Sequence, residues 1–167
     1  LAALLQPGIS VVIIPSSYLA IDQVSLQHKK GMAFSGRYSI VSQTPEERKR
    51  ARKELLNASQ LLLYSFAGNF HHQEYRQLME QMKAAGVPIA QYIVDEAHCA
   101  SAWSHDFRLP YFHVSQVLKQ KKDGQSAPPV VALSSASTYP VVNDLKAQFQ
   151  IPGAHVVEVQ RDRSKMI

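Results

Sequence analysis

Two adjacent carboxylates, Asp95 and Glu96, stand at the end of an apolar run from Ile89 to Val94. Neighbouring residues on a regular strand point to opposite faces, so a pair placed there marks a strand end rather than simple alternation. The carboxyl end of a buried strand is where open α/β sheets place their ligands. At such a point an Asp can hold a hydrated Mg2+, and a neighbouring Glu can orient or deprotonate a water. Trp103, His105, Phe107 and Arg108 follow within a few residues. Rings of this kind stack on bases, and a guanidinium grips phosphate.

Other chemistry in the same stretch fits less well. His98, Cys99, His105 and Asp106 are metal-ligand types, but an adjacent His-Cys pair is awkward for zinc, whose ligands are usually spaced by about two to four residues. Ser104, His105 and Asp106 are consecutive, whereas a Ser-His-Asp triad converges from separated positions. Nothing beside Cys99 marks it as a thiolate nucleophile.

The elements that must position these groups alternate along the chain. Leu1 to Leu5 reads as the tail of a helix stopped by Pro7 and Gly8. A helix without a cap at residue 1 leads us to expect a chain cut from something longer. Ile9 to Ile14 has the apolar, β-branched pattern of a strand buried on both faces, and Pro15-Ser16-Ser17 opens a helix through Lys30. Tyr38 to Val41 is expected as a short strand. Thr44-Pro45-Glu46-Glu47 is a capping box with proline at the first helical position, predicting a helix to about Ala58. Its basic cluster, Arg48 to Arg50 with Arg52 and Lys53, reads as a solvated helix face, with a nucleic-acid patch or a localisation signal as the alternatives.

Leu61 to Tyr64 reads as another buried strand. His71-His72 reads as the polar start of a helix carrying Tyr75, Leu78, Met79 and Met82 and ending before Gly86-Val87-Pro88. A helix is expected over Pro110 to Gln120, a loop over Lys121 to Pro129, and a buried strand over Val130 to Leu133. A helix over Tyr139 to Phe149 and a strand over His155 to Val159 complete the pattern. Alternating strands and helices imply an α/β fold, with a mostly parallel sheet covered on both faces.

Composition sets the outer limits. At 167 residues, with 46% hydrophobic and 19% charged residues, the chain has the make-up of one soluble globular domain. No apolar run reaches the ~20 residues of a membrane span, and the start lacks the basic region of a signal peptide. A single cysteine excludes an intrachain disulfide, which suits a cytoplasmic protein. The net charge of +5 is compatible with a nucleic-acid partner.

Asp95-Glu96-Ala97-His98 resembles the Walker B box of superfamily 2 helicases. The continuation through His98-Cys99, Trp103 and Ser104-His105-Asp106-Phe107-Arg108 resembles the aromatic-rich loop of RecQ-type DNA helicases. Ile14-Pro15 through Asp22-Gln23-Val24 is similar to that family's motif Ia, which lies against the DNA strand; an ordinary strand-to-helix junction is the alternative. The resemblance implies a three-layer RecA-like fold, truncated at its N-terminus, forming part of the first of two motor lobes. It implies ATP and Mg2+ as cofactors, with DNA and the second helicase lobe as partners, and a cytoplasmic or nucleoid-associated location. Asp95 would then hold Mg2+ through water, Glu96 would activate the attacking water, and His98 would couple nucleotide to the DNA-facing loop. Trp103, His105, Phe107, Arg108 and Gln23 would face DNA, and Ser134, Ser135 and Ser137 would form the coupling motif.

Several positions depart from the family pattern. None of the seven glycines opens a G-x-x-x-x-G-K-S/T phosphate loop, and the second lobe that supplies an arginine finger is absent. The chain alone is therefore expected not to hydrolyse ATP. Ala67-Gly68-Asn69 stands where the family has Pro-Glu-Arg, putting a phosphate contact there in doubt. Ser134-Ser135-Ala136 replaces Thr-Ala-Thr, Ser104 replaces a glycine, and Leu109-Pro110 replaces a proline-first pair. These departures leave one alternative of a different class: a degenerate helicase-like domain that binds nucleic acid or a protein without turning over ATP.

Overall fold

A computed structural model of the chain describes residues 5–119, 127–135 and 137–158. Its centre is strand β1 (Ile9–Ile14), flanked by β3 (Leu62–Phe66) and β4 (Ile89–Val94), with β2 (Ser35–Tyr38) and β5 (Val130–Ala132) outside them. All pairings are parallel and the order is β2-β3-β1-β4-β5. Ile14 pairs with Phe66, Ile13 with Val94, and Val94 with Ala132, so the strands finish together along one edge.

Handedness of the crossovers decides where the helices lie. From β1 the chain moves outward to β2 through α1 (Ser17–Lys29). It then moves the other way, through α2 (Pro45–Leu56), α3 (Gln73–Ala84) and α4 (Leu109–Lys119). Right-handed connections in opposite directions fall on opposite faces of a sheet. The core divides accordingly. Val12, Ile14, Leu62 and Tyr64 pack with Ala20 and Val24 of α1. On the other face Val11, Ile13, Leu63 and Val94 pack with Leu55, Leu78, Met82 and Val114, and with Leu145 of α5 (Tyr139–Gln148). The direction changes between β1 and β4, which makes the carboxyl ends of those two strands the switch point where such sheets bind ligands.

The predicted RecA-like α/β architecture is therefore observed, with local differences. The capping box on α2 is formed in both directions: Glu47 N–H donates to Thr44 Oγ1 and Thr44 N–H to Glu47 Oε2. The strand expected at 38–41 lies at Ser35–Tyr38, because the ladder to β3 ends at Tyr38 and the chain turns. Ser39 and Ile40 then give their N–H groups to the side chains of Gln43 and Asn69. β5 is shorter and more open than a buried strand: Val130 and Ala132 pack into the core while Val131 is 41% exposed. Val131 alternates to the α1 face of the sheet, and α1 sits over β1 and β3, too far along to cover it. Residues 155–158 form no strand; Val159, most of the 121–129 loop and all of the expected helix tail Leu1 to Leu5 except Leu5, which lies in a bend, fall outside the described residues.

Entry into β1 depends on Gly8. Its φ is 114°, and a Cβ there would stand 2.6 Å from the carbonyl oxygen of Pro88, the group that accepts the Ile9 N–H. The neighbouring atoms, of Pro88 and Ala90, are all backbone, so nothing flexible can give way. Gly8→Ala should lower unfolding stability by about 1–3 kcal/mol in denaturant titration; a variant as stable as the native chain would show that this entry is not constrained as described.

Candidate functional site

β4 does not simply stop at Val94. Asp95 N–H donates to Ile13 C=O at 2.9 Å, extending the pairing with β1 by one residue. Glu96 then adopts a left-handed conformation, φ 48° and ψ 43°. For a non-glycine residue this costs on the order of 1–3 kcal/mol, sustained only when the surroundings enforce it. Here they do: Ala97 N–H donates to Leu133 C=O at 2.8 Å and Leu133 N–H to Val94 C=O at 2.8 Å, so the end of β5 clamps the turn. Asp95 Oδ1 accepts the Glu96 N–H, and the buried phenol of Tyr111 on α4 donates to Asp95 C=O at 2.8 Å. The left-handed turn is what lets two consecutive carboxylates leave one strand end together.

After the turn, residues 97–100 form one buried 3-10 turn. His98, 4% exposed, lies between three partners. Its Nδ1 is 3.0 Å from Ser134 Oγ and 3.3 Å from Glu96 Oε2, and its Nε2 is 3.7 Å from Asp106 Oδ2. Ser135 Oγ donates to Glu96 Oε2 at 2.8 Å. The run beyond β5 therefore meets the carboxylate turn through two hydroxyls. The ring thus lies between two carboxylates, with its hydrogen bond to Ser134.

Asp106 belongs to the loop 101–108, whose ends are closed by Arg108 N–H donating to Cys99 C=O at 2.8 Å. The loop turns its rings outward: Trp103 is 73% exposed and Phe107 42%, with His105 and Arg108 exposed beside them. Phe107 leans on Phe112 of α4 with ring centroids 6.4 Å apart, so one ring is steadied while Trp103 stands free of the core. An outward tryptophan costs apolar exposure and suits a flat partner.

Other predicted residues divide plainly. Asp95, Glu96, His98, Ser134 and Ser135 are brought together; Ser137 is exposed two residues further on. Gln23 is half-buried on α1, which packs on the sheet face opposite α3 and α4. Burial raises the Cys99 thiol above its usual pKa, which keeps it protonated and unsuited to nucleophilic work. No cluster of three or more metal-ligating side chains exists among the described residues. His71 and His72 lie at the entrance to α3, where His71 meets the edge of His113, ring centroids 4.2 Å apart. Sequence reasoning missed Tyr111, Asp106 and Ser101 as contacts of this site. Asp106 and Ser101 lie inside the singled-out stretch, but nothing in spacing alone showed that they would meet His98 and Asp144.

No protein-family model matches the chain. It aligns with a Caenorhabditis briggsae protein of the ATP-dependent DNA helicase Q1 type at 31% identity, over 99% of this chain and 26% of that protein. The ATP-dependent DNA helicase RecQ of Haemophilus influenzae aligns at 28% identity, over 92% of this chain and 23% of its own length. RecQ of Bacillus subtilis aligns at 26%, over 93% and 24%. Over nearly its whole length the chain is similar to RecQ-type helicases. It spans about a quarter of the length of these relatives. In fold it is similar to the Hef helicase domain of Pyrococcus furiosus, with a TM-score of 0.51 at 16% identity over 89% of this chain and 28% of that one.

Within this chain, Asn69 has a role unlike that of an exposed phosphate-binding arginine. It is fully buried; Nδ2 donates to Tyr38 C=O at 2.7 Å and to Ser65 Oγ at 3.1 Å, while Oδ1 accepts the Ile40 N–H. The amide thus pins the end of β2 to the end of β3. Replacing it strands a buried carbonyl and a buried N–H, each costing about 1–3 kcal/mol. Asn69→Ala should destabilise the chain by at least about 2 kcal/mol in chemical denaturation; a loss under about 0.5 kcal/mol would mean the amide is not the clamp.

Proposed function

We propose that this chain forms part of the first motor lobe of an ATP-dependent DNA helicase, with the strand-end carboxylates acting on nucleotide and the loop 101–108 acting on DNA. The observation that carries this reading is the continuous contact from Ser135 through Glu96 and His98 to Asp106. A nucleotide-side carboxylate and a base-stacking loop share one buried imidazole. The names of the relatives point the same way, since each is described as an ATP-dependent DNA helicase.

In this reading Asp95 would hold hydrated Mg2+ through water. The donor set fits: a single half-buried carboxylate whose Oδ1 is engaged by the Glu96 N–H suits a cation that keeps most of its waters and takes the rest of its ligands from phosphate. Bound there, Mg2+ would neutralise charge on the nucleotide phosphates. Glu96 orients the attacking water and accepts its proton, with Oε2 held by Ser135 and His98 so that the carboxylate does not wander. Ser134 keeps the His98 ring in place. Trp103 and Phe107 stack on bases while Arg108 and His105 meet the backbone, and Gln23 on α1 adds a contact further along the strand. The glycine-rich phosphate loop and the arginine finger come from outside these 167 residues, the latter from a second lobe. A cytoplasmic or nucleoid-associated protein accords with this role, and no helix among the described residues is long and apolar enough to cross a membrane.

The chain by itself should show no ATP turnover above background; strong turnover would contradict the reading. In a longer protein that includes it and hydrolyses ATP, Glu96→Gln should lower kcat by about 10²–10⁴-fold while nucleotide still binds. Trp103→Ala should keep DNA-free turnover and lose its stimulation by single-stranded DNA. Undiminished stimulation would remove the role given to the loop, and would favour a binding module in its place.

A further inference from the structure

We infer that Asp144, on α5, is a positioning residue for the DNA-facing loop, acting through the buried hydroxyl of Ser101. This deepens the helicase reading and rests on it for what the loop touches. Ser101 is fully buried at the point where the loop leaves the 3-10 turn. Its Oγ donates to Asp144 Oδ2 at 2.6 Å and accepts the backbone N–H of Trp103 at 3.2 Å.

The main-chain groups of Ser101 are used as well: its N–H donates to His98 C=O at 3.0 Å and its C=O accepts the Ser104 N–H at 3.1 Å. Every polar group of Ser101 is thus engaged, and one partner lies 43 residues away in sequence. A short hydroxyl–carboxylate bond is of the stronger, charge-assisted kind. Donating to a carboxylate makes the same oxygen a better acceptor, which tightens its hold on the Trp103 N–H.

The placement of Asp144 gives this bond its meaning. α5 starts at Tyr139, just beyond Ser134 and Ser135, which touch His98 and Glu96. Val141 and Leu145 are buried in the same core as Ala97 and Ala100, so the helix cannot shift without moving the base of the loop. The connection after β5 therefore meets the site twice. Its serines hold the carboxylate turn, and five residues into the helix a carboxylate holds the root of Trp103. Removing Asp144 leaves a buried hydroxyl without its acceptor and lets the Trp103 peptide swing.

Trp103 is the sole tryptophan of the sequence, so its emission reports the loop directly. The test is steady-state anisotropy of Trp103 in the native chain, Asp144→Ala, Ser101→Ala and the double variant, with far-UV circular dichroism to confirm folding. Asp144→Ala and Ser101→Ala should each lower the anisotropy, and the double variant should lower it no further than either single one. Asp144→Asn, whose carbonyl oxygen still accepts the Ser101 hydroxyl, should retain the native value. Unchanged anisotropy in folded Asp144→Ala, additive losses in the double variant, or an asparagine variant as mobile as the alanine one would each overturn the inference. Should an alanine variant fail to fold, the folded asparagine variant decides: native anisotropy upholds the anchor, and loss refutes it. Adding an oligo-dT to the native chain separates the two levels. A Trp103 signal indifferent to it counts against the helicase reading, while the anchor is judged from the DNA-free comparison.

Discussion

The left-handed turn at Glu96 is the constraint on which the rest depends. A strand that ran on from Val94 would send Asp95 and Glu96 to opposite faces of the sheet. Three backbone bonds prevent that: Asp95 to Ile13, Ala97 to Leu133, and Leu133 to Val94. They tie the turn to β1 on one side and to β5 on the other. The strain of a positive φ at a glutamate is held by the sheet itself, and such strain is usually found where a side chain must be aimed.

From that turn outward, the site is a sequence of polar contacts built around two buried side chains, His98 and Ser101. Glu96, His98, Ser134 and Ser135 satisfy one another, and Asp106 and Asp144 extend the contacts to either flank of the aromatic loop. At those two buried positions a lost hydrogen bond leaves a group that cannot turn to water, which holds the root of the loop stiff. The loop thus has a rigid root and an exposed tip, an arrangement suited to sensing a ligand at the tip and reporting it at the root.

The sheet was legible where burial on both faces produced a mostly apolar run, broken only by Ser10 in β1 and Gln91 in β4. Ile9–Ile14 and Ile89–Val94 are strands with the expected bounds. Edge elements were not legible in the same way. β2 is Ser-Gly-Arg-Tyr, a sequence with little strand character of its own; it is a strand because β3 lies beside it. The apolar Ile40-Val41 that follows was drawn into a turn by Asn69 and Gln43, contacts spanning up to 29 residues that no local pattern encodes. The site shows the same division. Asp95, Glu96 and His98 stand in one short motif and could be read directly, as could the exposed rings. Asp144 could not, since its partner is 43 residues away and an aspartate in the middle of a helix looks like surface. Asn69 was recognisable only as a departure from a family pattern, and its burial turns that departure into a structural clamp.

If one imidazole joins the nucleotide side to the DNA side, the two ligands must feel each other, and by linkage each must change the other's affinity by the same factor. The decisive measurement is the affinity of a longer, ATP-hydrolysing protein containing this chain for single-stranded DNA, with and without a non-hydrolysable ATP analogue and Mg2+. It should be compared between native protein and a His98→Ala variant. A change of about 5-fold or more on adding nucleotide, abolished in the variant, is the expected result. Equal nucleotide dependence in the two proteins would show that the contact through His98 carries nothing between the sites.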